Sequence, residues 1–302
     1  MKLRKYGVYS IVPKIPDNHR PVDTKWVYDV KRDKEGNLLR RRARKVGGGF
    51  TQEYGKNYED TYSQMARSET WKILLTLAIQ HGWHVRQWDV VAAYLNAPLT
   101  HEVYVKDGEE CWRLHKALYG LKQASHQWYK TLQSIMNKSG LRQCIGDPGV
   151  FTGSVTIATH VDDMAGFATT KEALDKIELA IEKHIELEKL GIPTKLPGME
   201  LTWGPEYTWV KLTQKTAIGN LAKEFKVPNV VIPTKSLPLN TNDYAPLAKE
   251  ERADPELQKK YQSLCKSTVF YRTPAPIIVY YFPYITCLLY LLFLIKHVRT
   301  SG

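Results

Sequence analysis

Cysteine is scarce in this chain: four in 302 residues, Cys111, Cys144, Cys265 and Cys287, with no C-x-x-C pair. That scarcity argues against a disulfide framework or a zinc cluster and predicts a reducing intracellular setting, cytoplasmic or nuclear. Internal repeats and low-complexity tracts are lacking as well. No apolar run stands behind the charges of Met1-Lys2-Leu3-Arg4-Lys5-Tyr6, so the start does not read as a secretory signal. Acidic residues are the scarcer charge, 31 against 43 basic ones. The resulting +12 suits a polyanionic partner, either nucleic acid or an anionic membrane surface. Long uncharged runs are missing with one exception, the nineteen residues Ile277 to Ile295, which end at Lys296-His297-Val298-Arg299. That run could just cross a bilayer with its basic flank on the cytoplasmic side. Pro274, Pro276 and Pro283, with Tyr280, Tyr281, Tyr284 and Tyr290, weigh against a span.

What is present is enough to fold: 43% apolar and 25% charged residues, for one large or two ordinary domains. The most informative stretch is His160-Val161-Asp162-Asp163, set between the apolar runs 155–161 and 164–167. It reads as a hairpin with its two acids at the tip, although Asp-Asp is not a favoured turn pair. A third acid, Asp89, ends the strand-like run Val85 to Val90. Three carboxylates on neighbouring strand ends suit a pair of Mg²⁺ ions, whose charge would offset their repulsion. Earlier in the chain, Lys25 to Arg32 and Leu39 to Val46 form a second predicted hairpin, turning at Glu35-Gly36-Asn37. Its run from Arg40 to Lys45 is basic at every position but Ala43, which favours contact with phosphate. Helices are expected from Ser68 as cap to His81-Gly82, from Ala124 to Lys138, and from Leu174 through Ile185 to a close at Leu190-Gly191. Short strands are expected around 201–203 and 208–210. This order predicts an α+β fold, an antiparallel sheet with helices on one face.

Ordered blocks along the chain resemble the reverse transcriptase region of Ty1/copia-type retrotransposon polyproteins. They include Lys25-Trp26-Val27-Tyr28, Tyr58-Glu59-Asp60-Thr61-Tyr62, Gln87-Trp88-Asp89-Val90 with Ala93-Tyr94-Leu95-Asn96, and Lys116 to Ala124. Asp147-Pro148, Val161-Asp162-Asp163 and Gly198-Met199-Glu200-Leu201 complete the series. The resemblance implies a right-hand polymerase: fingers, palm and the start of a thumb over 7–230, a remnant of the connection region over 231–264, and a divergent apolar tail over 265–302. It implies RNA-directed DNA polymerisation on an RNA template and DNA primer, an RNA–DNA hybrid, with a deoxynucleoside triphosphate as substrate. Asp89, Asp162 and Asp163 would hold two Mg²⁺ ions, or Mn²⁺ in their place, with Val90 beside them. Arg44 would grip the triphosphate, Tyr94 would block a ribose 2′-hydroxyl, and Lys122 and Gln123 would support nucleotide and template.

The sequence departs from that family's pattern in places. His160 stands for the usual Tyr, Gly48 for Lys, Ser125-His126 for Pro-Arg, and Val91-Ala92 for Lys-Thr. The loop between Val105 and Trp112 is short and lacks a Pro-Pro-Gly-Phe motif. Similarity stops after Tyr261-Gln262-Ser263-Leu264, as a shifted reading frame or misjoined segment would produce. Two further readings therefore stand beside the polymerase: an inactive remnant that still binds nucleic acid, and a protein anchored to a membrane through 277–295.

Overall fold

The computed structural model describes residues 2–32, 37–224 and 277–280. A short helix α1 (Lys2–Lys5) and strand β1 (Tyr9–Val12) precede a long hairpin arm, β2 (Thr24–Arg32) and β3 (Leu38–Gly47). Helix α2 (Ser68–His81) leads into β4 (His84–Val90), followed by a hairpin of β5 (Pro98–Asp107) and β6 (Glu110–Lys116). Helix α3 (Ala124–Lys138) comes next, then the short strands β7 (Arg142–Gln143) and β8 (Val150–Thr152). The hairpin β9 (Thr156–His160) and β10 (Asp163–Ala168), helix α4 (Lys171–Glu182) and β11 (Leu187–Gly191) follow. One compact unit runs through Pro193 and a second from Thr194 to Tyr280, a division inside the stretch 7–230 expected to hold fingers, palm and the start of a thumb. The expected boundaries at 230 and 264 lie outside the described residues.

Strand β4 has a central place. It pairs antiparallel with β10 on one side and β11 on the other, in the order β11-β4-β10-β9-β8-β7. Alternation along β4 separates two functions. Arg86, Trp88 and Val90 face one way, and the Trp88 indole, wholly buried, donates to Glu178 of α4 at 2.6 Å. Leu174, Ile177 and Ile181 of α4 and Trp128, Leu132 and Met136 of α3 close over that face in one core cluster. A Cβ on Gly166 would meet the Trp88 ring at 2.6 Å, so glycine is what lets the indole lie across β10. Asp89 and Gln87 face the other way, beside Asp163 and Ala165.

Several expectations are corrected. Helices do not all share one face: the buried residues of α2 (Trp71, Leu75, Ala78) fall outside that cluster, and α2 lies against β10. Ser68 does not cap α2. Arg67 holds the N-cap position without a side-chain cap, and a remote carboxylate substitutes: Asp147 Oδ2 accepts from the Arg67 N–H at 2.9 Å and the Thr70 hydroxyl at 2.5 Å. Helix α4 ends at Glu182, and Leu190-Gly191 belongs to β11. The helical spacing of Ile181 and Ile185 continues past the helix because both are buried, whereas Leu187 to Lys189 are claimed by pairing with β4. The stretch between Val105 and Trp112 is no loop but the tip of the β5–β6 hairpin, turning at Gly108 (φ +62°). It joins β1 in a three-stranded sheet where Tyr9 stacks on Trp112 at 3.9 Å.

The second unit holds β12 (Lys195–Leu196), β13 (Met199–Trp203), β14 (Trp209–Thr213), helix α5 (Lys215–Glu224) and β15 (Ile277–Tyr280). Strand β15, the start of the long uncharged run, pairs with β14. The remainder of that run, 281–295, lies outside the described residues. Among the described residues no helix is long and apolar enough to cross a membrane.

Candidate active site

The acidic hairpin turns one residue earlier than its sequence suggested. Val161 and Asp162 form the turn, and Asp163 is already in the ladder opposite His160. Val161 carries φ +59°, with Asp162 on the negative side, the pattern of a II′ turn whose first central residue is normally glycine. A β-branched residue there is strained, and two tertiary bonds hold it. The Trp128 indole of α3 donates to the Val161 carbonyl at 2.6 Å, and the Val90 N–H donates to the Asp162 carbonyl at 2.8 Å.

That clamp sets the carboxylates. Asp163 lies directly across the ladder from Asp89, and Glu188 of β11 pairs with Asp89 from the other side. Burial pushes the Asp89 carboxyl up to about 6, with further upward pressure from Asp162, Asp163 and Glu188 and relief from Arg42. Asp163 is raised as well, by burial and then by Asp162, against opposing help from His160 and the Gln87 amide. Burial lowers His160 from its ordinary value despite the pull of both acids, so its imidazole is neutral near pH 7. The side chains are not drawn into a cage: among the described residues no group of three His, Cys, Asp or Glu has metal-holding geometry. The fold sets Asp163, Asp89 and Glu188 in one cross-strand row, and their mutual repulsion adds to the effect of burial on Asp89.

Above them stands the basic arm. Strand alternation puts Arg40, Arg42 and Arg44 on one face and Arg41, Ala43 and Lys45 on the other. The Arg44 guanidinium lies 5.7 Å from the Tyr119 ring centroid. Tyr119 is pushed up by burial and then by Asp162, while Arg42 and Arg44 pull it down. A cavity of about 420 Å³ is lined here by Arg42, Arg44, Lys2, Ala92, Leu95 and Tyr119. Lys45 also lines this cavity, but its charge is already engaged. Its ammonium is buried 4.9 Å from the Trp112 ring and 5.2 Å from that of Trp26, paired with Asp107 at 2.5 Å. The expectation that this whole run meets phosphate therefore fails at Lys45.

A glycine junction roots the arm. Gly47 N–H donates to the Tyr119 carbonyl at 2.7 Å and Gly49 N–H to that of Gly120 at 3.1 Å. A Cβ on Gly120 (φ +87°) would fall 2.3 Å from the Gly47 oxygen. Gln52 continues the seam, accepting from the Lys122 N–H at 2.7 Å and donating to Gln123 at 2.9 Å. Gln123 is 1% exposed and donates in turn to the Asn57 carbonyl at 2.8 Å. Both its amide atoms are thus used inside the protein, and it serves as a strut. Lys122 is exposed, its ammonium 2.9 Å from the Tyr58 hydroxyl. Tyr94 packs edge-on to Tyr119, with centroids 4.8 Å apart.

With this geometry in place, comparison with known proteins is decisive. The profile of the reverse transcriptase (RNA-dependent DNA polymerase) family matches residues 6–239. The chain belongs to the reverse transcriptase family. It is 28% identical over 242 residues to the retrovirus-related Pol polyprotein from transposon TNT 1-94 of Nicotiana tabacum, covering 75% of this chain and 18% of that one. It is 32% identical over 208 residues to the Pol polyprotein from transposon RE2 of Arabidopsis thaliana (62% and 14% covered). To the transposon Ty1-BL Gag-Pol polyprotein of Saccharomyces cerevisiae it is 28% identical over 261 residues (76% and 14%). The chain thus spans under a fifth of these relatives' length, as a reverse transcriptase domain of the Ty1/copia type. Among solved structures it is similar to a foamy viral protease–reverse transcriptase in complex with double-stranded DNA, at TM-score 0.39 and 12% identity, covering 76% of this chain and 35% of that one.

In this reverse transcriptase domain three residues stand at the site that sequence reasoning had not singled out, Glu188, Tyr119 and Trp128, and a fourth, Arg42, had been read only as part of the basic run. Arg42 shares a strand face with Arg44, and the period of two along β3 was the available signal. Glu188 and Tyr119 come to Asp89 and Asp162 through tertiary pairing alone. Trp128 read as core, and it is core, but its N–H holds the acidic turn.

Proposed function

We propose that this domain is an RNA-directed DNA polymerase that extends a DNA primer on an RNA template, with a deoxynucleoside triphosphate as substrate. One observation carries the reading: Asp89 and Asp163 are cross-strand partners beneath a basic arm, with Asp162 held beside them at a clamped turn. Asp89, Asp162 and Asp163 would hold two Mg²⁺ ions, or Mn²⁺, with the Val90 backbone steadying Asp162. When bound, such ions activate a primer 3′-hydroxyl and neutralise departing pyrophosphate. Arg44, joined by Arg42, would bind the triphosphate through guanidinium–phosphate pairs. Tyr94 would stand against the ribose, and exposed Lys122 beside the template, on a seam that Gln123 positions. Architecture follows the same reading: the β4–β10 sheet as palm, the arm as fingers, the second unit as the start of a thumb.

Primer extension on an RNA template with Mg²⁺ tests this. Product that disappears in Asp162→Asn and Asp89→Asn supports the polymerase. No product from the unaltered chain, with hybrid binding intact, supports instead an inactive copy that only binds nucleic acid, to which the losses at Gly48 and Ser125-His126 would then be assigned.

A further inference from the structure

We propose that Ser125 is a specificity-determining positioning residue, whose hydroxyl fixes the ring of Tyr94 so that a nucleotide bearing a 2′-hydroxyl is refused. The inference rests on the polymerase reading and deepens it.

Tyr94 sits in a 3-10 turn, Ala93–Asn96, that starts from a left-handed Ala92 (φ 56°, ψ 47°). The Asn96 amide straps this turn by donating to the carbonyls of Val91 at 3.2 Å and Ala92 at 3.3 Å. The backbone under Tyr94 is thereby set, and what remains free is the swing of the ring. Two contacts take that freedom away. The edge of Tyr119 meets the ring at an interplanar angle of 69°. At the tip, the Tyr94 phenol and the Ser125 hydroxyl lie 3.0 Å apart. Ser125 belongs to the first turn of α3, the helix whose Trp128 also clamps the acidic turn. One rigid element therefore ties the ring and the carboxylates to a common frame.

The place of the ring makes its tilt matter. Tyr119 lines one cavity with Arg42 and Arg44, its ring 5.7 Å from the Arg44 guanidinium. A nucleotide whose phosphates reach from the carboxylates to the arm lays its sugar over the Tyr94–Tyr119 pair. A ring held at both edge and tip can exclude one extra oxygen, whereas one free to swing accommodates it. Serine at this position is one of the chain's departures from the pattern it otherwise resembles, where proline stands. Proline has no hydroxyl to offer.

The test is the ratio of deoxynucleotide to ribonucleotide incorporation efficiency (kcat/KM) on one RNA template. Ser125→Ala should raise relative ribonucleotide use roughly two- to tenfold, the worth of one neutral hydrogen bond. Ser125→Thr, which keeps the hydroxyl, should retain the original ratio. Tyr94→Phe removes the same bond from the other end, should match Ser125→Ala, and combined with it should add nothing. An unchanged ratio in both Ser125→Ala and Tyr94→Phe, or an equal fall for both nucleotides, would overturn the inference while leaving the polymerase standing. An unaltered chain that incorporates nothing overturns the polymerase reading and this inference with it.

Discussion

Burial and its carboxylate neighbours hold Asp89 near 6, above its ordinary 3.8, and Asp163 is shifted the same way. The folded chain therefore binds more protons than the unfolded chain between about pH 4 and pH 6. Stability falls as pH rises through that window, and the penalty persists above it until a cation offsets the charge. Without metal, the unaltered chain should thus lose Tm relative to Asp89→Asn as pH is raised from 4.5 to 7.5; parallel curves for the two proteins would contradict this. Added Mg²⁺ at pH 7.5 should restore more Tm to the unaltered chain than to the variant. Val161 presents the other local cost, a branched residue in left-handed backbone. Trp128→Phe keeps an aromatic ring but removes both the indole bond to the Val161 carbonyl and part of the buried ring volume, and should destabilise by about 2–4 kcal/mol, measured by urea unfolding.

Among the elements, the arm depends on its root. Lys45 is 4% exposed and paired with Asp107 between two indoles, joining β3 to the β5–β6 hairpin. Removing the ammonium leaves Asp107, its side chain 32% exposed, without its partner and empties the space between the indoles, so Lys45→Ala should cost about 1.5–3 kcal/mol. Lys45→Met with Asp107→Leu should recover most of that loss, because it refills the space between the indoles and leaves no unpaired charge. A double variant no more stable than Lys45→Ala would show that the indoles, not the ion pair, carry the contact. A different junction is purely steric: a Cβ on Gly149 would lie 1.9 Å from the Ala66 nitrogen. Gly149→Ala must displace the segment that leads into α2, and the expected cost is about 3 kcal/mol or more, read from Tm.

For the molecule as a whole, a formal charge of +12 makes hybrid binding an electrostatic event. Affinity should fall steeply with salt, each phosphate contact contributing roughly 0.9 to the log–log slope. Removing Arg40, Arg42 and Arg44 together should flatten that slope by about 2–3. An unchanged slope would mean that the arm's inner face does not meet phosphate.

The sequence by itself determined the local vocabulary of this protein. Helix α3 falls at Ala124–Lys138 as its spacing requires, because a strongly amphipathic stripe and a following glycine leave one solution. Asp89, Asp162 and Asp163 were legible because carboxylates at the ends of apolar runs are costly without a charge partner, and the ordered blocks around them identified the family. Tertiary structure decided the rest. Which residue turns the acidic hairpin depends on an indole 33 positions away and on a backbone N–H from β4. Whether a basic side chain meets solvent or two tryptophans depends on strands far along the chain, so Lys45 and Arg44 could not be told apart. Asp147 caps a helix that begins almost 80 residues earlier. In each case the local pattern states only what a residue can bond to; the partner is chosen by which strands pair, and pairing is a property of the folded chain.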